Sequence, residues 1–296
     1  MIINQVNLKN LSVAVRAGFN QGMNSGTTYW ERIATRINST TAENKYAWLG
    51  QFPTFREWIG DRQVKSLAAH DFTIKNRKFE ATVSIPRDDI DDDNFGVYMP
   101  IAEQQGYAAK THPDQLIFAL LKDGFSQPCY DGQNFFDTDH PVGVEGAITS
   151  VSNMQSGSGE PWFLLDTSRP IKPLLFQVRR DYDLKTKFDA SDENVWDRDE
   201  FVWGCDARVA AGFGLWQLAF GSKAPLDEAN FNAAWAAMGS LKSDEGRPLG
   251  IMPKLLLVSA NNRAAAAKVI EAAQKTGGES NTNYKAVEIL VVPWLA

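Results

Sequence analysis

Residues 48–90 read WLGQFPTFREWIGDRQVKSLAAHDFTIKNRKFEATVSIPRDDI, and what covers this stretch decides the fold. Three short runs rich in aromatic and β-branched residues, near 52–59, 71–75 and 79–85, are separated by Gly60-Asp61 and by the charged turn Lys75-Asn76-Arg77-Lys78. That spacing predicts a long β-hairpin or meander. In the last run Phe79, Ala81, Val83 and Ile85 alternate with polar residues, so they share one strand face. An isolated ribbon has almost no core of its own, yet this one carries Trp48, Phe52, Phe55 and Trp58 beside Arg56 and Lys78. Aromatic and arginine side chains are the usual anchors of subunit interfaces. The expected cover is another subunit, with Trp48, Phe52, Phe55, Arg56, Trp58, Lys78 and Phe79 as contact residues.

Outward from the ribbon, Leu8, Leu11, Val15 and Phe19 recur every three to four residues, which predicts a short amphipathic helix in the first 25 residues. The polar text that follows it reads as an extended arm or connector. On the other side, 97–124 reads as a long helix in two parts, broken at Pro113, with Asp114 in the first turn of the second part and Gly124 as its stop. Between them RDDIDDDNFG (87–96) collects carboxylates where a helix N-terminus favours negative charge. Residues 152–161, SNMQSGSGEP, read as a loop without fixed structure. Strand text returns at 173–188 and 200–221 around the charged turn DASDENVWDRD. From Asp227 the pattern becomes α/β: a helix through Phe231, Ala234, Trp235, Met238 and Leu241, a buried strand at 254–259, an N-capped helix at 261–274 and a final strand at 286–294.

Composition narrows the classes. The chain has 296 residues, 44% hydrophobic and 22% charged, enough for a sizeable core and typical of globular proteins. A net charge of −6 argues against a surface built mainly for nucleic-acid phosphates. Two cysteines make no disulfide framework, and the N-terminal text has no secretory pattern, so folding in a reducing cytoplasm is expected. No window is apolar enough for a membrane-spanning helix.

The stretch CYDGQNFFDTDHPVG (129–143) packs a thiol, three aspartates and one of three histidines into a short span. Its Cys and His lie eleven residues apart with no second pair at zinc-ligand spacing, and a thiol hydrolase would need folding to bring them together. The plainer reading is a turn at Asp131-Gly132, Phe135 and Phe136 anchored in a core, and Asp137, Asp139 and Pro141 capping local structure. An EF-hand register begun at Asp91 puts Phe95 and Ala102 where ligands are required, and AAGFGLW lacks the full dinucleotide-binding glycine pattern. No catalytic motif, cofactor motif or metal motif is complete.

Five longer strings carry a resemblance: YAWLGQFPTFREWIGDR (46–62), FTIKNRKFE (72–80), CYDGQNFFDTDHP (129–141), GCDAR followed by GFGLWQLAFG (204–221) and ILVVPWLA (289–296). Together they span the chain, and in them it resembles the Mu-like phage major head subunit (gpT) family. The resemblance implies an α+β, HK97-type capsid fold: an N-arm at 1–47, an E-loop at 48–90 reaching over a neighbour, a P-domain at 91–224 with a spine helix at 97–124, and an A-domain α/β portion at 225–296. HK97-type chains commonly return P-domain strands at the C-terminus. This chain ends in α/β text, so strands within 170–221 would supply that sheet. The implied function is a non-enzymatic major capsid protein that self-assembles into hexamers and pentamers of an icosahedral head. Implied partners are scaffold, portal and accessory head proteins and packaged double-stranded DNA held by non-specific contact. It would reside in the virion, and in the host cytoplasm during assembly, without membrane or cofactor. Two alternatives stand beside it: an encapsulin-like compartment, and a soluble hydrolase using Cys129, Asp137 and His140.

Overall fold

The computed structural model describes residues 3–46, 49, 72–92, 94–144, 146–189, 191–275 and 277–296. In chain order the elements are α1 (Gln5–Ser25), β1 (Ala34–Asn38), β2 (Glu43–Lys45), β3 (Thr73–Lys75), β4 (Arg77–Pro86), α2 (Arg87–Asp91), α3 (Met99–Asp123), β5 (His140–Val142), β6 (Thr149–Val151), β7 (Met154–Gln155), β8 (Trp162–Leu165), β9 (Leu174–Lys187), α4 (Glu193–Arg198), β10 (Glu200–Phe213), β11 (Ala219–Ser222), α5 (Glu228–Gly239), β12 (Leu255–Val258), α6 (Arg263–Ile270) and β13 (Glu288–Val291). Among them no helix is long and apolar enough to cross a membrane.

Two sheets organise the chain. The first has the order β1-β9-β10-β4, with β1 parallel to β9 and the other pairs antiparallel. Its two central strands are 14 residues long. Along β10 the buried side chains Phe201, Trp203, Cys205, Ala207 and Val209 alternate with half-buried ones, as a sheet covered on one face requires. The cover is α1 with α3. Leu8, Leu11, Val15 and Phe19 of α1 enter a core with Ile85, Ala102, Leu184, Phe201 and Trp203. Asn4 caps α1 by accepting from Asn7 N at 2.9 Å. Gln105 of α3 is pinned to the sheet: its Oε1 accepts from Trp203 Nε1 at 2.8 Å and its Nε2 donates to Ala81 O at 2.6 Å.

The helices α1 and α3 approach until backbone meets backbone, and glycine makes that approach sterically available. A Cβ on Gly22 would lie 1.8 Å from Glu103 O, and one on Gly106 would lie 2.0 Å from Phe19 O.

The second sheet has the order β13-β12-β8-β11-β7. Its strands β8 and β12 are buried throughout, and α5 and α6 pack with it in the larger core. The strand text at 200–221 is therefore two strands. It breaks at Gly214, whose added Cβ would sit 2.8 Å from Pro173 O, and crosses from the first sheet to the second. The border drawn at residue 225 falls inside this second sheet, because β7, β8 and β11 lie before it.

Several local expectations change. Residues 99–123 form one continuous helix with Pro113 inside it. Thr111 Oγ1 donates to Tyr107 O at 3.1 Å just before the proline. Asp114 is fully buried and accepts from Tyr29 N and Trp30 N, at 3.0 and 2.7 Å, so it ties the helix to the segment before β1 instead of capping a second helix. The Ser/Gly stretch at 152–161 is built in: β7 lies in it, and Gly159 N donates to Lys223 O at 2.9 Å. A Cβ on Gly157 would meet Lys223 O at 2.3 Å, so that docking needs glycine. The helix expected at 261–274 covers only Arg263–Ile270, and Asn262 does not cap it; its Nδ2 donates to Glu160 O. The polar text after α1 holds two strands, β1 and β2.

The limb of the ribbon at 73–86 has partners within its own chain. β3 pairs with β2, and β4 pairs with β10 in continuous register from Arg77↔Val209 to Pro86↔Glu200.

Candidate functional site

The 129–143 stretch does bring its polar residues together. Gly132, at φ +89°, turns the chain at Asp131-Gly132, and Phe135 and Phe136 drop into the core, Phe135 stacked on Phe213 with centroids 4.4 Å apart. Around that anchor Cys129 Sγ donates to Asp131 Oδ1 at 3.1 Å, Gln133 N donates to the same oxygen at 3.1 Å, and His140 Nδ1 meets Asp131 Oδ2 at 2.7 Å. His140 is wholly buried and lies flat on Trp216, centroids 3.9 Å apart and planes 11° from parallel.

Both ring nitrogens of His140 face polar partners. Asn153 Nδ2 donates to Phe135 O, Trp216 O and Ala219 O, and Asn153 Oδ1 accepts from Asp137 N, so the amide orientation is fixed. His140 Nε2 faces that same oxygen at 3.2 Å. Nδ1 faces the Asp131 carboxylate. The ring is thus held between Asp131 and Asn153 inside the core. Burial alone would push Asp131 up, but hydrogen bonds from His140 and Cys129, with the charge on His140, hold it below the ordinary carboxylate range.

The same geometry bears on chemistry. Burial, Asp131's charge and the hydrogen bond to Asp131 push the Cys129 thiol far up, away from the thiolate that a nucleophile needs. Cys205 is buried too and is pushed up to about 11. The sequence offered Asp137 as the partner of His140, whereas the structure places Asp131 there; Asp137 accepts from Asn134 N and Thr138 N instead. Ligand atoms of Cys129, Asp131 and His140 lie within 4.8 Å of one another, and they are the one such group among the described residues. Two ligands on one tetrahedral zinc stand about 3.3 Å apart. The 2.7 Å between His140 Nδ1 and Asp131 Oδ2 is a hydrogen bond, so the group is a polar staple holding β5 and the connector to Trp216. Cys129→Ser is expected to lower stability by about 1 kcal/mol or less and to leave particle formation unchanged, as thermal melting and sedimentation would record.

Of the contact residues drawn from the ribbon, Trp48, Phe52, Phe55, Arg56 and Trp58 lie outside the described residues. Lys78 is exposed on β4. Phe79 is half-buried, edge-on to His112 at 4.5 Å with the Arg77 guanidinium 5.3 Å from its ring. His112 in turn meets Tyr182 Oη at 2.6 Å, and burial followed by the charge of Arg77 lowers its pKa. Sequence reasoning missed Asn153, Trp216 and Trp196. Asn153 sits in text read as formless, and its only signal is a lone amide beside serines. Trp196 was passed over as part of a charged turn, where a single indole among carboxylates was the available sign.

Comparison with known proteins places the whole chain. A family model described as Mu-like prophage major head subunit gpT matches residues 8–295. The major capsid protein of Escherichia phage Mu is 42% identical over 277 residues, covering 91% of each chain. A chain in the procapsid of bacteriophage JBD30 superposes with a TM-score of 0.87 at 43% identity, covering 99% of this chain and 100% of that one. A chain of the bacteriophage JBD30 capsid gives 0.79 at 36% identity, covering 93% and 92%.

Proposed function

Because this chain belongs to the Mu-like prophage major head subunit gpT family, we propose that its copies close into the hexamers and pentamers of an icosahedral phage head through repeated contacts of the 48–90 ribbon. The chain is a major capsid protein that forms the capsid shell, with the α+β fold of phage capsid proteins. The single observation that carries this is the end-to-end match to a procapsid chain.

The finer parts rest on physical support. The ribbon's aromatic residues fit an E-loop laid on a neighbour, α3 a spine, and the first 47 residues an arm. Such extended elements bury a large area for little mass, which suits a shell closed by symmetry. The head subunit is read as non-catalytic, consistent with a buried, protonated Cys129. Scaffold, portal and accessory head proteins and packaged double-stranded DNA are its proposed partners, the DNA by non-specific contact given a net charge of −6. Assembly in the host cytoplasm precedes residence in the virion. The two solved structures described above, at 43% and 36% identity, are phage particles, which favours this reading over a cargo compartment.

Replacing Phe55 and Trp58 together by alanine is expected to leave the circular dichroism of the subunit unchanged and to remove the fast-sedimenting particle. Particles of normal yield and size would take the contact role away from the ribbon.

A further inference from the structure

Among the described residues one tryptophan stands almost wholly in water. Trp196 of α4 is 83% exposed, more than any other large apolar residue described. Its platform is fixed. Val195 beside it is buried with Phe188 and Phe201, and Asn194 Nδ2 donates to Lys187 O and Glu200 O, tying α4 across the end of the β9–β10 hairpin. Asp192, Glu193, Asp197 and Asp199 lie within four residues of Trp196, against Arg198 and the Arg87 that pairs with Asp199 at 3.3 Å, so the tip is an apolar knob on a net acidic turn.

At the far end of the same strands lies a groove of about 430 Å³ between β3, β4, α3 and the end of β10. Ile74, Leu116, Leu120 and Phe213 give it apolar walls. Lys75 and Arg77 stand at its edge, against one carboxylate, Asp123. From Glu200 to Gly212 the strand spans about 40 Å at roughly 3.3 Å per residue. Knob and groove therefore sit at opposite ends of one rigid ribbon and cannot meet within a single chain.

Building on the shell reading, we infer that Trp196 of one copy docks in the Lys75/Arg77-edged groove of a second copy. The knob is apolar on a net acidic turn, and the groove is apolar and base-edged, so the two faces match in polarity and in charge sign. The contact is head-to-tail, and repetition of a head-to-tail contact about an axis generates a ring. An exposed tryptophan on a rigid support is also the side chain that most often dominates interface energetics.

The test uses the full chain. Trp196→Ala should keep the circular dichroism and melting of the parent while cutting particle yield roughly tenfold or more at fixed concentration. A double variant, Trp196→Cys with Ala119→Cys on the groove wall, should give a ladder of covalent multimers on oxidation of its particles. Cys129 and Cys205 are buried and stay out of the reaction. Parental particle yield from Trp196→Ala would overturn the inference. So would intact particles of the double variant without a ladder, which would leave the groove to residues 50–71 or to another occupant. Covalent dimers from Trp196→Cys alone would mean tip-to-tip docking and overturn it as well. Failure of the unsubstituted chain to form particles would overturn the shell reading, and the inference with it.

Discussion

Gly106→Val is expected to destabilise the subunit by roughly 3–6 kcal/mol, because it forces α1 off α3 and exposes side chains whose burial contributes about 1.5–3 kcal/mol each. The added Cβ would lie 2.0 Å from Phe19 O and 2.9 Å from Met23 N, both backbone atoms of the facing helix, so no rotamer change relieves the clash. Lifting α1 uncovers Leu8, Leu11, Val15 and Phe19 together with their partners on the first sheet. Urea unfolding should show the lowered midpoint, and limited proteolysis should cut within the first 25 residues of the variant before the rest. Gly239→Ala is the control, since nothing lies within 4 Å of its added Cβ; as a helical position it should be neutral or gain a few tenths of a kcal/mol. Equal midpoints for Gly106→Val and the parent would show that the helices have room to separate without loss.

His140→Phe should cost about 1–3 kcal/mol at neutral pH, the usual result of leaving a buried polar group without its hydrogen-bond partner. Phenylalanine keeps a flat ring to stack on Trp216 and removes both ring nitrogens, so the loss isolates the polar part. The pH dependence has a definite sign. Asp131 is held below its ordinary range in the folded parent, so its contribution is present above the unfolded carboxylate value of about 3.9 and disappears as pH falls through the folded value. The gap between parent and variant should therefore be full at pH 6–7 and narrow below about pH 4. Adding Asp131→Leu should recover much of the loss, since an apolar replacement of a buried pair is often neutral or better. A gap that stays constant from pH 7 to pH 3 would contradict the support that His140 gives to the Asp131 carboxylate.

These two effects differ in how far the sequence announced them. The apolar face of α1 was plain from its spacing, and the strands at 254–259 and 286–294 from their short, continuous apolar runs. What α1 packs against was not, because the requirement lies in glycines on two helices some eighty residues apart and only their contact shows that a side chain has no room. The turn at Asp131 and the anchoring of Phe135 and Phe136 were legible for the same local reasons. The pairing of His140 with Asp131 instead of Asp137 depends on where Asn153 and Trp216 arrive from elsewhere in the chain, and no spacing rule carries that information. Pro113 misled for a related reason: proline disfavours a helix interior, but burial of the flanking turns and the anchoring of Asp114 by Tyr29 and Trp30 override it. The β10–β11 text read as one strand because both halves are apolar; the break at Gly214 is set by the carbonyl of Pro173, which local sequence does not reveal.

The clasp of α1 against α3 also bears on how the polypeptide is made. Phe19 leaves the ribosome early, but its cover includes Trp203, Leu184 and Ala102, all translated later. At roughly 5–20 residues per second, the interval before Trp203 emerges is on the order of 10–40 s. Until α3 emerges the nascent amphipathic segment has no native surface to settle on, and until Trp203 emerges it has only part of one. Its solubility while synthesis continues then depends on its water-facing side, where Lys9, Asn10, Arg16 and Asn20 are exposed, or on a chaperone that holds it until the sheet exists.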